Sequence, residues 1–143
     1  MKKLVSIALC MLTLTACADE KKVITLEALP QAALNILTQH IQKENVLLVT
    51  QEGNGRWAEY EVRMNDQSDW EFDGQGSLEK VEIRSGVPAD LIPAAILSQV
   101  RASYPNAIVI EYNIDRHDQE VKLNNGIELT FSLAGKLLKT EVD

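Results

Sequence analysis

Leu29-Pro30-Gln31-Ala32-Ala33-Leu34-Asn35-Ile36-Leu37 returns 63 residues later as Ile92-Pro93-Ala94-Ala95-Ile96-Leu97-Ser98-Gln99-Val100. Both stretches place proline at a helix start, where its missing N–H costs nothing. Both then set apolar residues on one helical face: Ala33, Leu34, Leu37 and Ile41 in the first, Ile96, Leu97, Val100 and Tyr104 in the second. That spacing predicts two amphipathic helices of about four turns. A second pair of marks follows. Phe72-Asp73-Gly74-Gln75-Gly76-Ser77-Leu78-Glu79-Lys80 lines up with Phe131-Ser132-Leu133-Ala134-Gly135-Lys136-Leu137-Leu138-Lys139, now at an offset of 59. The chain is one unit written twice, with a shorter middle hairpin in the second copy.

Short strands separated by turn residues fill the rest of each copy. The first copy predicts strands over 46–52, 56–65, 69–73 and 77–84, the second over 107–115, 119–124, 127–133 and 136–142. Asn-Gly between alternating runs, as in Asn125-Gly126, predicts a tight I′ hairpin. Each copy therefore reads as a helix followed by a four-stranded antiparallel meander. The fold class is α+β, each helix covering one face of a sheet.

Alternation along the strands separates two faces. Ala58, Tyr60, Val62 and Met64 point toward the first helix, with Trp70 and Phe72. Trp57, Glu59, Glu61 and Arg63 take the open face, beside Asp69, Glu71 and Asp73. In the second copy Ile108, Ile110, Tyr112 and Ile114 read as inward, and Val109, Glu111, Asn113 and Asp115 as outward.

The N-terminus carries a separate message. Met1-Lys2-Lys3, an apolar run from Leu4 to Thr15, and Ala16-Cys17 have the layout of a secretory signal peptide. The run is shorter than the roughly 20 residues that cross a bilayer. Leu14-Thr15-Ala16-Cys17 resembles the bacterial lipobox, which implies cleavage before Cys17 and acylation of that cysteine. Residues 1–16 then form the signal, 17–25 a lipidated tether, and 26–143 the folded domain, with repeats at 26–84 and 88–142. Cys10 leaves with the signal, so an acylated Cys17 leaves no free thiol and no disulfide. Ala18 departs from the aspartate that retains lipoproteins in the inner membrane, and Asp19-Glu20 resembles surface-export signals. The expected location is the outer membrane, on its periplasmic face or at the cell surface.

Cleavage removes Lys2 and Lys3 and no acidic residue, so the net charge falls from −7 to −9. Such a surface repels nucleic acid and anionic lipid, leaving the N-terminal lipid as the expected membrane contact. The two histidines, His40 and His117, lie in different copies with no second ligand at metal spacing. Asn65-Asp66-Gln67-Ser68-Asp69 is too short for a calcium loop. No serine sits in a nucleophile elbow and no glycine-rich phosphate loop is present. Paired carboxylates such as Glu59 with Glu61, or Glu71 with Asp73, suit acid–base chemistry in principle, but a solvated acidic face explains them with less. The reading is a non-enzyme without metal or other cofactor.

Several motifs, taken in order, are similar to one family. They are Leu29-Pro30 with its helix, Tyr60-Glu61-Val62, Trp70-Glu71-Phe72-Asp73 with Gly76, Tyr104-Pro105-Asn106-Ala107-Ile108, the run Glu120 to Leu129 with Phe131, and Gly135. Together they resemble the PepSY-like, β-lactamase-inhibitor-like family of exported bacterial proteins, from about Ile24 to Val142. The resemblance implies tandem helix-plus-strand repeats in the manner of β-lactamase inhibitor protein. It departs at Ile41 to Asn45, where an aromatic-proline pair is expected, and at Ser132, which stands where the first copy has Asp73. Fold likeness does not settle function.

Two readings follow. In the first, a non-catalytic binding module uses the open face, with Trp57, Glu59, Glu61, Arg63 and Glu71, to dock an envelope protein or peptide. The family resemblance adds a protease or other hydrolase, inhibited or localised, as that partner. In the second, a small ligand enters a cleft between the copies. The anchor is independently testable: wild-type chain should incorporate labelled palmitate and Cys17→Ser should not, and label on the variant would overturn the lipid assignment.

Overall fold

The computed structural model of the chain describes residues 20–143, so the signal segment, Cys10 and Cys17 lie outside the described residues. Among the described residues the architecture is α+β, with two α-helices against one antiparallel sheet of nine strands in sequential order. The strands are β1 (Lys22–Val23), β2 (Val46–Glu52), β3 (Glu59–Met64), β4 (Asp69–Phe72), β5 (Leu78–Glu82), β6 (Val109–Ile114), β7 (Asp118–Leu123), β8 (Ile127–Ser132) and β9 (Leu137–Val142). Helix α1 (Gln31–His40) precedes β2, and α2 (Ala94–Ser103) precedes β6.

The duplication reaches down to irregularities. Register shifts fall at Val46/Leu48 in the pairing of β2 with β3 and at Val109/Glu111 in that of β6 with β7. A second matched pair occurs between β4 and β5 and between β8 and β9. The inner faces also match. Val62, Met64 and Phe72 of the first repeat correspond to Val121, Leu123 and Phe131 of the second, and all six are buried. Ala33 and Leu37 of α1, with Ile96 and Val100 of α2, close the same cluster.

The structure corrects several expectations. Each helix has ten residues, nearer three turns than four, because Ile41 and Tyr104 leave helical geometry as C-caps. The sheet is continuous, since β5 pairs with β6 through Lys80↔Asn113, Val81↔Tyr112 and Glu82↔Glu111. The tether is partly structured, because Lys22 and Val23 pair with Gln51 and Thr50 as an edge strand. The second strand of the first meander, β3, begins at Glu59, not at residue 56. The bulge at β6 reverses one face assignment: Val109 is buried and Ile108 is 45 % exposed. A bulge places one extra residue against the partner strand, so strict alternation fails there.

The hairpins are not I′ turns. Gly126 has φ 83° and Asn125 is not in the left-handed region, while Gly126 N–H donates to Leu123 O at 3.1 Å. That is a three-residue loop, a type I turn closed by a left-handed residue. The turns at Gly76 (φ 85°) and Gly135 (φ 87°) repeat it, with N–H donation to Asp73 O and Ser132 O at 2.9 Å each. Asp73 Oδ1 accepts from the backbone of Gln75 and Ser77. Ser132 Oγ supplies one bond, to Lys136 N–H, so the serine departure preserves the turn with less support.

The repeats also meet through α1. The His40 ring stacks on Trp70 with centroids 6.0 Å apart, and its Nε2 lies 3.0 Å from Asp90 of the second repeat. Beneath the second repeat, Tyr112 donates to Gln119 Oε1, and the Gln119 amide donates to the carbonyls of Ser132 and Leu133.

The two turn glycines should differ in tolerance. A Cβ on Gly76 would come within 2.8 Å of Ala33 N and Pro30 Cβ, whereas one on Gly135 meets only Ala95 Cβ at 3.1 Å. Gly135→Ala should cost about 1–2 kcal/mol for left-handed strain. Gly76→Ala should cost clearly more, because it also displaces the start of α1. Urea denaturation of the two variants measures this, and equal losses would contradict it.

Candidate functional site

The face opposite the helices is a charged ladder. One row runs Glu61, Glu71, Lys80, Asn113, Glu120, Thr130, Lys139 across β3 to β9. The next runs Arg63, Asp69, Glu82, Glu111, Lys122, Glu128, Glu141. Acidic residues outnumber basic ones, and the cations are largely committed. Lys21 and Arg63 both bond Glu61, Lys80 lies 3.4 Å from Glu111, Lys122 reaches Asp143, and Lys139 reaches Glu141 at 2.8 Å.

At one end of this face lies a cleft of about 680 Å³ spanning the junction of the repeats. Its first-repeat side is built from Arg56, Trp57, Glu59, Glu71, Asp73 and Glu79, and its second-repeat side from Asn113 and the turn Asp115-Arg116-His117. Among the described residues, Glu59, Glu71, Asp73 and Glu79 form no ion pair. Burial and then the charges of Asp73, Glu59 and Glu71 raise the Glu79 carboxyl above its ordinary range. The cleft thus holds more carboxylates than Arg56 and Arg116, the two arginines that line it, can balance.

Trp57 stands at its rim. It is not in a strand, as alternation implied, but in a single 3₁₀ turn, Gly55–Trp57, ahead of β3. The ring is 67 % exposed, with the Arg56 guanidinium 4.6 Å above its centroid. The turn is seated by a glycine. Gly74 packs so closely that a Cβ there would lie 2.5 Å from Gly55 O and 2.7 Å from the Arg56 carbonyl. At the matching position of the second copy stands Leu133, 55 % exposed, where the shorter loop between β6 and β7 leaves room.

Of the five predicted site residues, Trp57, Glu59 and Glu71 line the cleft. Glu61 lines a smaller adjoining recess of about 250 Å³ with Lys21, Glu52 and Glu59. Two cations neutralise Glu61, and its carboxyl is held low by Lys21 first. Arg63 lines neither cleft and serves Glu61. Sequence reasoning missed Glu79, Arg116 and His117. The repeat offset was the available signal, since it places the turn at 115–117 opposite the Trp57 loop.

Elsewhere on the face, crowding raises carboxyls. Asp69 is pushed up to about 6 by burial and then by Glu61, and its Oδ1 has no hydrogen-bond partner. Glu120 is pushed up to about 7, chiefly by its carboxyl–carboxyl contact with Glu128.

This geometry belongs to a recognisable class, a duplicated helix-and-sheet module with an exposed cleft at the junction. Two overlapping stretches, residues 16–80 and 58–139, match the family described as β-lactamase-inhibitor-like, PepSY-like. The chain belongs to that family. Among solved structures it is similar to a periplasmic protein of Bacteroides thetaiotaomicron, provisionally described as calcium-regulated. The two are 36% identical with a TM-score of 0.81, over 87% of this chain and 98% of that one. It is also similar to two periplasmic proteins of Bacteroides vulgatus. One, of the DUF2874 family, is 30% identical, with a TM-score of 0.81 over 87% of this chain and 98% of that one. The other, of unknown function, is 26% identical, with a TM-score of 0.78 over 85% and 99%. No curated protein matches this chain.

The raised carboxyls make stability depend on pH. Folded Glu120 keeps its proton to about pH 7, whereas an unfolded glutamate keeps it to about 4.3. Folding therefore binds a proton between those values, and stability falls as pH rises through them. Glu120→Gln removes that loss. It should stabilise the fold at pH 8 relative to pH 5, by about 1 kcal/mol or less given solvent screening. Urea midpoints at the two pH values test it, and equal shifts at both would refute the assignment.

Proposed function

We propose that this chain is an exported, lipid-anchored envelope protein whose folded part is a non-catalytic module for docking a protein or peptide. One observation carries the reading. An exposed tryptophan, stacked by its own arginine, stands at the rim of a cleft in which, among the described residues, none of the five carboxylates forms an ion pair. Aromatic anchors beside charged rims are what interfaces concentrate their binding energy on. The unneutralised carboxylates select a partner segment that brings lysine or arginine. By family resemblance, a protease or other hydrolase that is inhibited or localised is the first partner class to test. Periplasmic descriptions of three similar proteins support export, and the lipobox-like sequence at Cys17 supports the anchor.

A second reading, small-ligand capture, is favoured by the cleft volume, which falls in the range typical of ligand sites. The calcium regulation described for one similar protein adds a cation to that list. Among the described residues, no three histidine or acidic side chains are grouped to hold a metal.

Capture from envelope extract distinguishes the readings. Wild-type chain should retain a protein partner, and Trp57→Ala with Glu59→Ala should lose it by at least about 2 kcal/mol, the scale of a hot spot. Gly74→Ala, which displaces the Trp57 turn while leaving every cleft side chain in the sequence, should weaken capture as well. Undiminished capture by both variants would refute the site. Capture of nothing, with a melting shift of several degrees on adding calcium, a glycan or a basic peptide, would favour the small-ligand reading.

A further inference from the structure

The sheet ends in an unusual edge. β9 is six residues long, and among the described residues no strand pairs with its outer side. Every residue from Leu138 to Val142 is exposed, including Leu138 at 56 % and Val142 at 75 %. The opposite edge, β1, has only two paired residues. A long open edge offers unpaired N–H and C=O groups and is a template for another strand.

Natural edges are commonly blunted by a lysine, and β9 carries Lys139. Here the lysine is matched within the same strand. Lys139 and Glu141 flank Thr140 and share the open face, opposite Thr130 and Glu128. Leu138 and Val142 flank it at the next positions out. An antiparallel copy of β9, related by a two-fold axis at Thr140, would set Lys139 against Glu141 of the other copy, twice. It would also set Thr140 against Thr140, while Leu138, at the bulge of β9, leaves the regular alternation. An axis at Lys139 or Glu141 would instead oppose like charges, which destabilises a cross-strand pair. Of these three registers, the one centred on Thr140 sets no like charges directly opposite each other.

We propose that β9 is a self-association edge, joining two copies of this chain by antiparallel β9–β9 pairing centred on Thr140. The cleft lies on β3 to β6 and the turn after it, so such a dimer leaves both clefts open and presents them together. The pairing stands whether or not the docking function does.

The test uses the full chain in its bacterial envelope. Opposed residues of an antiparallel pair have Cα atoms about 4.5–5.5 Å apart, within disulfide range. Thr140→Cys should therefore give a band of twice the chain mass on mild oxidation. The parent chain, which retains Cys17, and Leu133→Cys should not. Adding Lys139→Glu to Thr140→Cys should lower the band about tenfold, because two like-charge contacts replace two attractive ones. Adding Glu141→Lys as well should restore it. Absence of the band from Thr140→Cys, an equal band from Leu133→Cys, failure of the double exchange to restore it, or cross-linking to a different protein would each overturn the proposal.

Discussion

The three residue pairs between β5 and β6 hold the architecture together. Lys80↔Asn113, Val81↔Tyr112 and Glu82↔Glu111 turn two repeats into one sheet. Val81 and Tyr112, both buried, carry the core across that seam. A single repeat would leave a four-stranded edge open beside a helix with only a few buried residues. Pairing closes both edges at the seam and lets α1 and α2 cover one cluster. The His40 contact to Asp90 links the repeats again from the helix side.

Periodicity exposed what repeats and hid what departs from repetition. Two helices, their order, the turn glycines and the buried faces of β3 and β4 were all legible, because period and spacing reflect which side meets the core. Val109 was not, because a bulge is one residue that no alternating pattern announces. β1 was not, because two residues carry no period. The helix ends failed for a related reason. Ile41 and Tyr104 continue the apolar spacing, but they pack as caps in extended or irregular backbone.

At the candidate site the difference was one of partners. Trp57, Glu59 and Glu71 were singled out from the strand pattern, and they do line one cleft. Glu61 and Arg63 share the same alternation, yet they satisfy each other and Lys21. A sequence shows which side chains share a face, and only the fold shows which are already neutralised. Unpaired carboxylates at Glu59, Glu71, Asp73 and Glu79 differ from the paired ones in nothing that composition records.

The cleft itself arises from the asymmetry of the duplication. The offset between copies falls from 63 to 59 within the loop that joins the first two strands of each helix-led meander, and not in the middle hairpin as the repeat alone suggested. In the first copy that loop is long enough to form the turn bearing Trp57, held down by the close approach of Gly74. In the second it shrinks to the tight turn of Asp115-Arg116-His117, where Asp115 Oδ1 accepts from the backbone of His117 and Asp118. Two identical loops would have met across the seam as like surfaces. Unequal ones set the Trp57 turn against the short Asp115-Arg116-His117 turn, with the first repeat's carboxylates between them. Leu133 completes the contrast: with no Trp57 turn to seat, the second copy has no use for a glycine where the first has Gly74.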